Sequence, residues 1–233
     1  MKVVALIPAF NEEKTIGATL KAVASLPSLG EIVVINDGST DRTGEIIQQL
    51  ALHNSRLIAL NLDRNYGKGA ALNRGLEAIC ADIYLLLDGD LANTASLAQD
   101  LLEPVLTGQA DMTIARFSSQ QSQGPSGMGF GLVRRLATLG VHLFTGKWVT
   151  SPLSGQRAIT AVVLETIGPL FEGFGVEIGL TVGALYHGFR VLEVPISMQH
   201  RGYGRGLKGI RHRIRQLVHV IKAFRVCGQR GWY

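Results

Sequence analysis

The sequence predicts an α/β fold in which a mostly parallel central sheet carries helices on both faces. Short runs of consecutive apolar residues, such as Val3–Ile7, Ile32–Ile35 and Ile83–Leu87, alternate with amphipathic stretches. Continuous apolar strands are typical of a parallel sheet that is covered on both faces. The alternation of strands with helices is the second indication, because it is the pattern of repeated strand–helix–strand units.

The first strand and helix show how the elements are assigned. Val3–Ile7 is short and rich in β-branched residues, which predicts a buried strand. Asn11 is a favourable N-cap, and Glu12 and Glu13 would lie in the first turn of the following helix, where the helix dipole favours carboxylates. That helix would bury one apolar stripe, formed by Ile16, Leu20 and Val23.

The later elements of the first half follow from the same patterns. Ile83–Leu87 is wholly apolar, which predicts a central strand. Further strands are predicted at Ile32–Ile35, Arg56–Asn61 and Ala110–Ala115, with helices after Ser39-Thr40-Asp41 and over about 70–79.

The second half begins with a polar, glycine-rich stretch, 118–130, which fits either a domain linker or an active-site flap. A helix is predicted at Leu132–Phe144 and a strand at Arg190–His200. Alternation would place one set of residues on the buried face of that strand, namely Leu192, Val194, Ile196, Met198 and His200.

The net charge of +5 is the sum of two opposite regions. Residues 194–233 contain 9 Lys and Arg and no acidic residue, so their formal charge is +9. Residues 1–193 contain the other 14 basic residues and all 18 acidic residues, so their formal charge is −4. Residues 206–230 predict a basic amphipathic helix, either packed on the domain with a solvated basic face or in contact with an anionic membrane surface. Nucleic acid is not an expected partner, because aromatic residues do not interleave with the basic ones.

Composition excludes several classes of protein. Two cysteines, Cys80 and Cys227, cannot form a disulfide scaffold and lack zinc-site spacing. The apolar run after Met1 is too short for a signal peptide, and no window offers about 20 uninterrupted apolar residues. We therefore expect a cytoplasmic protein, with peripheral contact at the inner face of the membrane and a homodimer both left open.

Asp88-Gly89-Asp90 is the sharpest chemical signal in the sequence. Two carboxylates two positions apart at the end of a strand can point the same way, and Gly89 lets the backbone approach a ligand. Magnesium typically takes one or two carboxylates together with substrate phosphate. Parallel strands bind ligands at their carboxyl ends, where Asn11 and Asp37 are also expected.

Three other positions have both a functional and a structural interpretation. Asp37 would either hold a nucleobase or ribose or cap a helix. Lys68 would reach a diphosphate, but the sequence does not match the P-loop pattern, because Ala70 and Ala71 follow Gly69. Glu177 lies among apolar residues and glycines, which suits proton transfer, but a glutamate at a helix start is equally compatible. His200 would be a third metal ligand or a half-buried histidine.

Together these motifs resemble the donor half of GT-A glycosyltransferases of the large family-2-like group, over about residues 1–116. The matching stretches are Pro8-Ala9-Phe10-Asn11-Glu12, Asp37-Gly38-Ser39, Asn65-Tyr66-Gly67-Lys68-Gly69 and Asp88-Gly89-Asp90. The resemblance implies a GT-A fold with a donor site that includes Pro8, Ala9, Asn11 and Gly89. It also implies that Glu12 and Asp37 hold the nucleoside, that Lys68 lies near the diphosphate, and that Asp90 and Asp88 bind Mg²⁺ or Mn²⁺.

The second half, 117–205, resembles the acceptor half of the same group. Ser151–Arg157 occupies the position of its acceptor-side motif. Gly173–Leu180 followed by Gln199-His200-Arg201 is similar to glucosyl-3-phosphoglycerate synthases, in which the histidine completes the metal site. Polyprenyl-phosphate glycosyltransferases are similar over the same span. The resemblance implies one GT-A domain over 1–205, followed by the basic helix in 206–233.

The function expected from the sequence is transfer of a hexose from a nucleoside-diphosphate sugar, with a UDP-sugar favoured, to a phosphorylated acceptor. The acceptor would be a polyprenyl phosphate or a small phospho-acid such as 3-phosphoglycerate, and Glu177 would be the base for a hydroxyl acceptor. The alternatives are another nucleotide-dependent α/β enzyme, such as a nucleotidyltransferase, and a non-catalytic protein that binds membrane surfaces.

Overall fold

The computed structural model describes residues 1–117, 130–198 and 207–232. Its strands are β1 (Val3–Ala9), β2 (Glu31–Asn36), β3 (Leu57–Asn61), β4 (Ile83–Leu86), β5 (Met112–Phe117), β6 (Arg157–Thr160) and β7 (Val191–Ile196). Its α-helices are α1 (Ile16–Ala24), α2 (Thr43–His53), α3 (Lys68–Ala78), α4 (Gln99–Leu106), α5 (Phe130–Thr145), α6 (Ala161–Ile167), α7 (Val176–Tyr186) and α8 (Leu207–Gln229).

The described strands form one sheet in the order β3-β2-β1-β4-β6-β5-β7. Strand β4 is central, as its wholly apolar sequence predicts. Every neighbouring pair is parallel except the two that involve β6, which runs antiparallel to β4 and β5. The predicted mostly parallel sheet is therefore confirmed. Strand β6 escapes detection in the sequence because it is only four residues long and begins with a charged residue, Arg157.

Two apolar layers cover the sheet, one on each face. Alternate residues of β1 enter opposite layers: Val4 and Leu6 pack with α3, α5, α7 and α8, whereas Val3, Ala5 and Ile7 pack with α1, α2 and α4. This division follows from the period of two in a strand. It confirms helices on both faces and explains why the strand sequences are apolar without interruption.

The predicted role of Asn11 as an N-cap is wrong. Helix α1 begins at Ile16, and Asn11 adopts a left-handed conformation with φ of +56°. Asn is one of the few residues that tolerate this region. Its side-chain oxygen accepts a hydrogen bond from the backbone N–H of Thr40 at 2.9 Å, so it joins the loops after β1 and β2. The predicted stripe of Ile16, Leu20 and Val23 is buried.

The predicted buried face of the last strand is also wrong in part. Leu192 is 43% exposed, because β7 is an edge strand that pairs only with β5 among the described strands. Ile196 and Met198 are buried as predicted. The continuation of this face to His200 lies outside the described residues, as does nearly all of the glycine-rich stretch at 118–130.

Helix α8 packs on the domain through one side. Val220, Ala223 and Cys227 are buried in the layer formed with α5 and α7, and Trp232 closes the end of that layer. Among the described residues, no helix is long and apolar enough to cross a membrane.

A single hydroxyl joins α1 to the loop that follows β4. Thr19 is fully buried, donates a hydrogen bond to the carbonyl of Gly89 at 2.9 Å and accepts one from the N–H of Ala92 at 2.8 Å. The Thr19 side chain therefore fixes the backbone of the Asp88-Gly89-Asp90 turn from the side of the sheet that α1 covers. Ala92 has a positive φ of 47°, so the backbone here is not regular secondary structure. The Gly89 carbonyl and the Ala92 N–H therefore bond to the Thr19 hydroxyl and not to other backbone groups of the described residues.

Replacement of this hydroxyl tests its role. We expect Thr19→Val to lower the free energy of unfolding by about 2 kcal/mol, because the buried carbonyl of Gly89 and the partly buried N–H of Ala92 lose their partner. Thr19→Ser keeps the hydroxyl and loses one methyl group, and should cost about 1 kcal/mol. Urea unfolding of the three proteins measures the difference. Equal stability of the Thr19→Val variant and the unmodified protein would show that the hydroxyl does not hold the turn.

Candidate active site at the carboxyl edge of the sheet

The carboxyl ends of β1, β2 and β4 meet at one edge of the sheet, as predicted. Ala9 pairs with Asn36, and the backbone N–H of Asp37 donates to the carbonyl of Ala9 at 2.9 Å. Gly89 lies against this edge: a Cβ there would be 3.4 Å from both the Ala9 side chain and the Pro8 carbonyl. Pro8, Ala9 and Gly89 therefore form a backbone floor, from which Asp37 and Asp88 extend.

Lys68 is the centre of the site. Its Nζ lies 2.7 Å from Oδ1 of Asp88 and 2.8 Å from Oε1 of Glu177. The lysine begins α3, Asp88 follows β4, and Glu177 lies in the first turn of α7. The side chain of Glu177 is only 7% exposed and that of Lys68 21% exposed. Three elements that are distant in sequence thus meet at one ammonium group.

The ammonium group is held in its charged form. Burial alone would lower the pKa of Lys68, but the neighbouring carboxylates of Asp88 and Glu177 outweigh burial and raise the pKa above its ordinary value. A raised lysine pKa adds stability that is fully present below the unfolded pKa of about 10.4 and is lost as the pH rises through the folded pKa. The Lys68 side chain therefore stays positively charged at neutral pH.

Gln156 holds the second oxygen of Asp88. Its Nε2 donates to Oδ2 of Asp88 at 2.6 Å, and its own carbonyl oxygen accepts from the Ser154 hydroxyl at 3.2 Å. Gln156 is fully buried. A Cβ at Gly155 would collide with the Lys68 ammonium and approach Asp88, so a larger residue at this position would have to displace these two side chains.

The segment that carries Gln156 is held from both ends. Arg157 is fully buried, and its guanidinium donates to the carbonyls of Ser154 and Pro152, each at 2.9 Å. Glu193 on β7 accepts from the backbone N–H groups of Thr150 at 3.0 Å and of Ser151 at 2.6 Å.

Arg157 remains a cation in this dry environment. Burial lowers its pKa to about 10, while the charges of Glu177 and Glu193 act in the opposite direction. The guanidinium also donates to the Thr181 hydroxyl at 2.9 Å, which links the segment to α7. The sequence predicts an acceptor-side motif at 151–157 but gives no separate role to Gln156 or Arg157.

The only feature of the sequence that points to these two residues is their position directly after Ser154-Gly155.

Asp37 orders the turn that presents Lys68. Its two carboxylate oxygens accept hydrogen bonds from the backbone N–H groups of Tyr66 at 2.8 Å and Gly67 at 2.9 Å, and the residue is buried. Gly38 beside it has a φ of +66°, and a Cβ there would collide with the backbone of Arg64. The predicted contact of Asp37 with a nucleoside stays a prediction, since the observed partners are backbone groups.

Glu12 joins the loop after β1 to the start of α2. Its backbone N–H donates to the Thr43 hydroxyl at 2.8 Å, and its Oε2 accepts from the Thr15 hydroxyl at 3.0 Å. The N–H of the neighbouring Asn11 donates to the Ser39 hydroxyl at 3.1 Å. These bonds fix the rim of the site where the donor residues are predicted.

The carboxylates after β4 suit a hard divalent cation. Asp88 and Asp90 supply oxygen donors at the edge where substrate phosphate would lie, and Mg²⁺ commonly takes one or two carboxylates with phosphate and water. The described residues contain no group of three or more His, Cys, Asp and Glu that could hold a metal by itself. The third predicted ligand, His200, lies outside the described residues. The donor set thus fits a cation that a diphosphate helps to bind.

Comparison with solved structures identifies the fold. Glucosyl-3-phosphoglycerate synthase from Mycobacterium tuberculosis, in complex with Mg²⁺ and UDP, superposes with a TM-score of 0.77 and 27% identity, over 96% of this chain and 79% of that one. A complex of the same enzyme with Mn²⁺, UDP-glucose and phosphoglyceric acid has a TM-score of 0.76, also with 27% identity and the same shares. The fold is therefore the GT-A fold.

Sequence comparison then gives the family. The family model Glycosyl transferase family 2 matches residues 4–129, more than half of the chain. The chain belongs to glycosyl transferase family 2. This membership disfavours the nucleotidyltransferase-like and non-catalytic alternatives.

Two of the similar proteins are named as sugar transferases. A bactoprenol glucosyl transferase of Shigella phage SfV is 37% identical over 53% of this chain, and the match covers 41% of that protein. An undecaprenyl-phosphate 4-deoxy-4-formamido-L-arabinose transferase of Edwardsiella ictaluri is 28% identical over 93% of this chain and 66% of its own length. This chain therefore spans about two fifths of the length of the first of these relatives, the phage protein.

Loss of the central ammonium group should destabilise the fold. We expect Lys68→Met to lower the free energy of unfolding by about 3 kcal/mol, because two carboxylates lose their shared cation. The difference should persist to about pH 10, because the contribution of Lys68 is lost only above its unfolded pKa. Urea unfolding at several pH values measures it.

A double variant provides the control. Lys68→Met with Glu177→Gln removes one of the two uncompensated charges and should regain part of the lost stability. A Lys68→Met variant as stable as the unmodified protein, or a double variant that is less stable than the single one, would contradict the shared ion pair.

Proposed function

We propose that the protein is a metal-dependent glycosyltransferase that moves a hexose from a UDP-sugar to a phosphorylated acceptor. One observation carries the proposal: a charged lysine, held between Asp88 and Glu177, lies at the carboxyl edge of a parallel sheet beside the Asp88-Gly89-Asp90 turn. Such an edge is where parallel α/β sheets bind ligands. The neighbours crystallised with UDP-glucose and Mn²⁺ support the donor and the metal.

The donor would lie across the ends of β1 and β2. Asn11, Glu12 and Asp37 are the proposed nucleoside contacts, and Pro8, Ala9 and Gly89 would let the nucleotide approach the backbone. The bonds that fix this rim support the assignment, because a preorganised rim loses little conformational freedom when a ligand binds.

Asp90 and Asp88 are the proposed ligands of Mg²⁺ or Mn²⁺, with His200 as the third. A bound divalent cation would neutralise charge on the diphosphate leaving group. Asp88 already accepts hydrogen bonds from Lys68 and Gln156. These partners would orient its carboxylate toward the cation, as outer groups do in metal sites.

The reaction breaks the bond between the anomeric carbon and the diphosphate oxygen and forms a bond to an acceptor oxygen. Lys68 would stabilise the negative charge that develops on the departing diphosphate. Its raised pKa supports this role, because the ammonium remains charged and does not give up its proton at neutral pH.

Glu177 has a role that depends on the acceptor. A hydroxyl acceptor must lose a proton, and Glu177 is the proposed base, placed 2.8 Å from Lys68 in the same site. A phosphate acceptor is already an anion and needs no base. In that case Glu177 would act by positioning Lys68.

The acceptor would lie on the side of the site formed by residues 151–157. A polyprenyl phosphate and 3-phosphoglycerate are the candidates, supported by the lipid-carrier relatives and by the phosphoglycerate-bound neighbours respectively. We further propose that 1–205 forms one GT-A domain, with its donor half in 1–116 and its acceptor half in 117–205, followed by the basic helix of 206–233. The protein would work on the cytoplasmic side, with peripheral membrane contact through 206–230.

A transfer assay with radiolabelled UDP-glucose tests the function and the acceptor together. Undecaprenyl phosphate and 3-phosphoglycerate are supplied separately, with Mn²⁺ or with EDTA. We expect transfer to one of them, and loss of that transfer in EDTA. No transfer from UDP-glucose, GDP-mannose or dTDP-glucose to either acceptor would overturn the proposal.

The Glu177→Gln variant then separates the two roles of this residue. Glutamine keeps a carbonyl that accepts from Lys68 but is not a base. With a polyprenyl phosphate we expect kcat to fall less than about tenfold, whereas with a hydroxyl acceptor it should fall by about 100-fold or more. A fall of about 100-fold with the lipid phosphate would contradict the positioning role.

A further inference from the structure

Helix α5 exposes a stripe of leucines. Leu132, Leu136, Leu139 and Leu143 are each between 42% and 72% exposed. Their spacing of four, three and four residues places them on one face of the helix. The sheet-facing side of α5 is separately apolar and buried, so the leucine stripe is not needed for the core.

Helix α8 has a second exposed stripe. Ile214, Val218 and Ile221 are 43% to 60% exposed and share one face of the helix. Its buried side is formed by other residues, among them Val220 and Ala223. Isolated exposed apolar residues are ordinary, but ordered apolar stripes on two helices that touch each other are typical of an interaction site.

The two helices that carry the stripes are in direct contact. Gly140 of α5 meets the ring of Phe224 so closely that a Cβ would collide with it, and the rings of Phe144 and Phe224 are 5.3 Å apart. Leu136 and Leu143 lie one turn on either side of Gly140, and Ile221 lies one turn before Phe224. We call the two stripes together the α5–α8 face.

The surroundings of the α5–α8 face are cationic. Arg135 and Lys147 are exposed at α5 and just beyond it, and Arg215, Lys222 and Arg225 are exposed on α8. Neither helix contains an acidic residue. Burial lowers the pKa of His219, and the charges of Lys222 and Arg215 act in the same direction, whereas Glu172 opposes them.

We propose that the α5–α8 face docks on an anionic membrane surface. Its leucines and isoleucines would enter the boundary of the acyl chains, while the arginines and lysines would pair with lipid phosphates. Trp148 would lie at the margin: it is 64% exposed and stacks on His142 with ring centroids 4.0 Å apart. Exposed tryptophan is typical of membrane interfaces.

Charge decides between a membrane and a second copy of the chain. A two-fold dimer through this face would place two cationic rims against each other, because a symmetric interface pairs a surface with itself. Like charges across an interface oppose association. An anionic bilayer complements both the apolar stripes and the rim.

The face is connected to the active site through two elements. The ring of His219 on α8 packs on Gly173, in the 3₁₀ turn Gly173–Gly175 that leads directly into α7 and Glu177. Helix α5 leads into the segment that carries Gln156. Docking would therefore bring the acceptor side of the site toward the lipid surface. This consequence for a lipid acceptor rests on the proposed function, whereas docking itself does not.

Vesicle flotation of the full chain tests docking without any sugar transfer. Vesicles of phosphatidylcholine alone are compared with vesicles that also contain phosphatidylglycerol. We expect the unmodified protein to bind only the anionic vesicles, and high salt to weaken the binding. The triple variant Leu136→Ser, Leu139→Ser, Ile221→Ser should bind roughly tenfold or more weakly. The double variant Arg215→Gln, Lys222→Gln should also bind the anionic vesicles roughly tenfold or more weakly.

Matched controls carry the same substitutions elsewhere on the surface. Leu52→Ser with Val162→Ser, and Lys14→Gln with Lys21→Gln, alter exposed side chains outside the face and should leave binding unchanged. No binding to anionic vesicles, or equal losses in variants and controls, would overturn the proposal. So would a dimer in sedimentation equilibrium that the triple variant dissociates, because the occupant would then be a second copy.

Transfer to a water-soluble, short-chain prenyl phosphate keeps the two proposals distinguishable. Docking variants should retain this transfer at the unmodified rate. Flotation without any transfer would contradict the proposed transfer reaction and leave docking intact. Transfer without flotation would contradict docking, together with the peripheral membrane contact proposed for 206–230, and leave the transfer reaction intact.

Discussion

The ion pairs of Lys68 are the interaction on which the rest of the site depends. A half-buried ammonium group between two carboxylates costs little only when the geometry satisfies all three charges. Lys68 meets this condition with contacts of 2.7 Å and 2.8 Å to Asp88 and Glu177. Because the three residues come from α3, the end of β4 and the start of α7, the pairs join the first half of the chain to the second.

The surrounding contacts are arranged to preserve this geometry. Asp37 fixes the turn before Lys68 through two backbone hydrogen bonds, and Gln156 donates to the second carboxylate oxygen of Asp88. Arg157 in turn fixes the carbonyls of the segment that carries Gln156. Each polar group is buried or half-buried and has a partner, as low-dielectric sites require. The result is a preorganised set of charges that needs little rearrangement when a charged ligand arrives.

Sequence patterns predict the parts of this architecture that depend on local physics. Uninterrupted apolar strands reveal the sheet and its central strand, and the Asp88-Gly89-Asp90 turn stands out because charge follows a buried strand. The partnership of Lys68 with Glu177 is not visible, since the residues are separated by 109 positions and either one suits a helix start. Gln156 and β6 leave weak signals because an amide carries no charge and four residues show little periodicity. Leu192 is exposed because edge position depends on topology, which residue alternation does not encode.

The central claim is that the carboxyl edge of the sheet binds a nucleoside diphosphate together with a divalent cation. Calorimetric titration of UDP, with and without Mn²⁺, tests it most directly on the unmodified protein and on Asp90→Asn. We expect Mn²⁺ to strengthen UDP binding at least tenfold, about 1.4 kcal/mol, in the unmodified protein and to have no such effect in the variant. Equal UDP affinities with and without Mn²⁺ in the unmodified protein would contradict it.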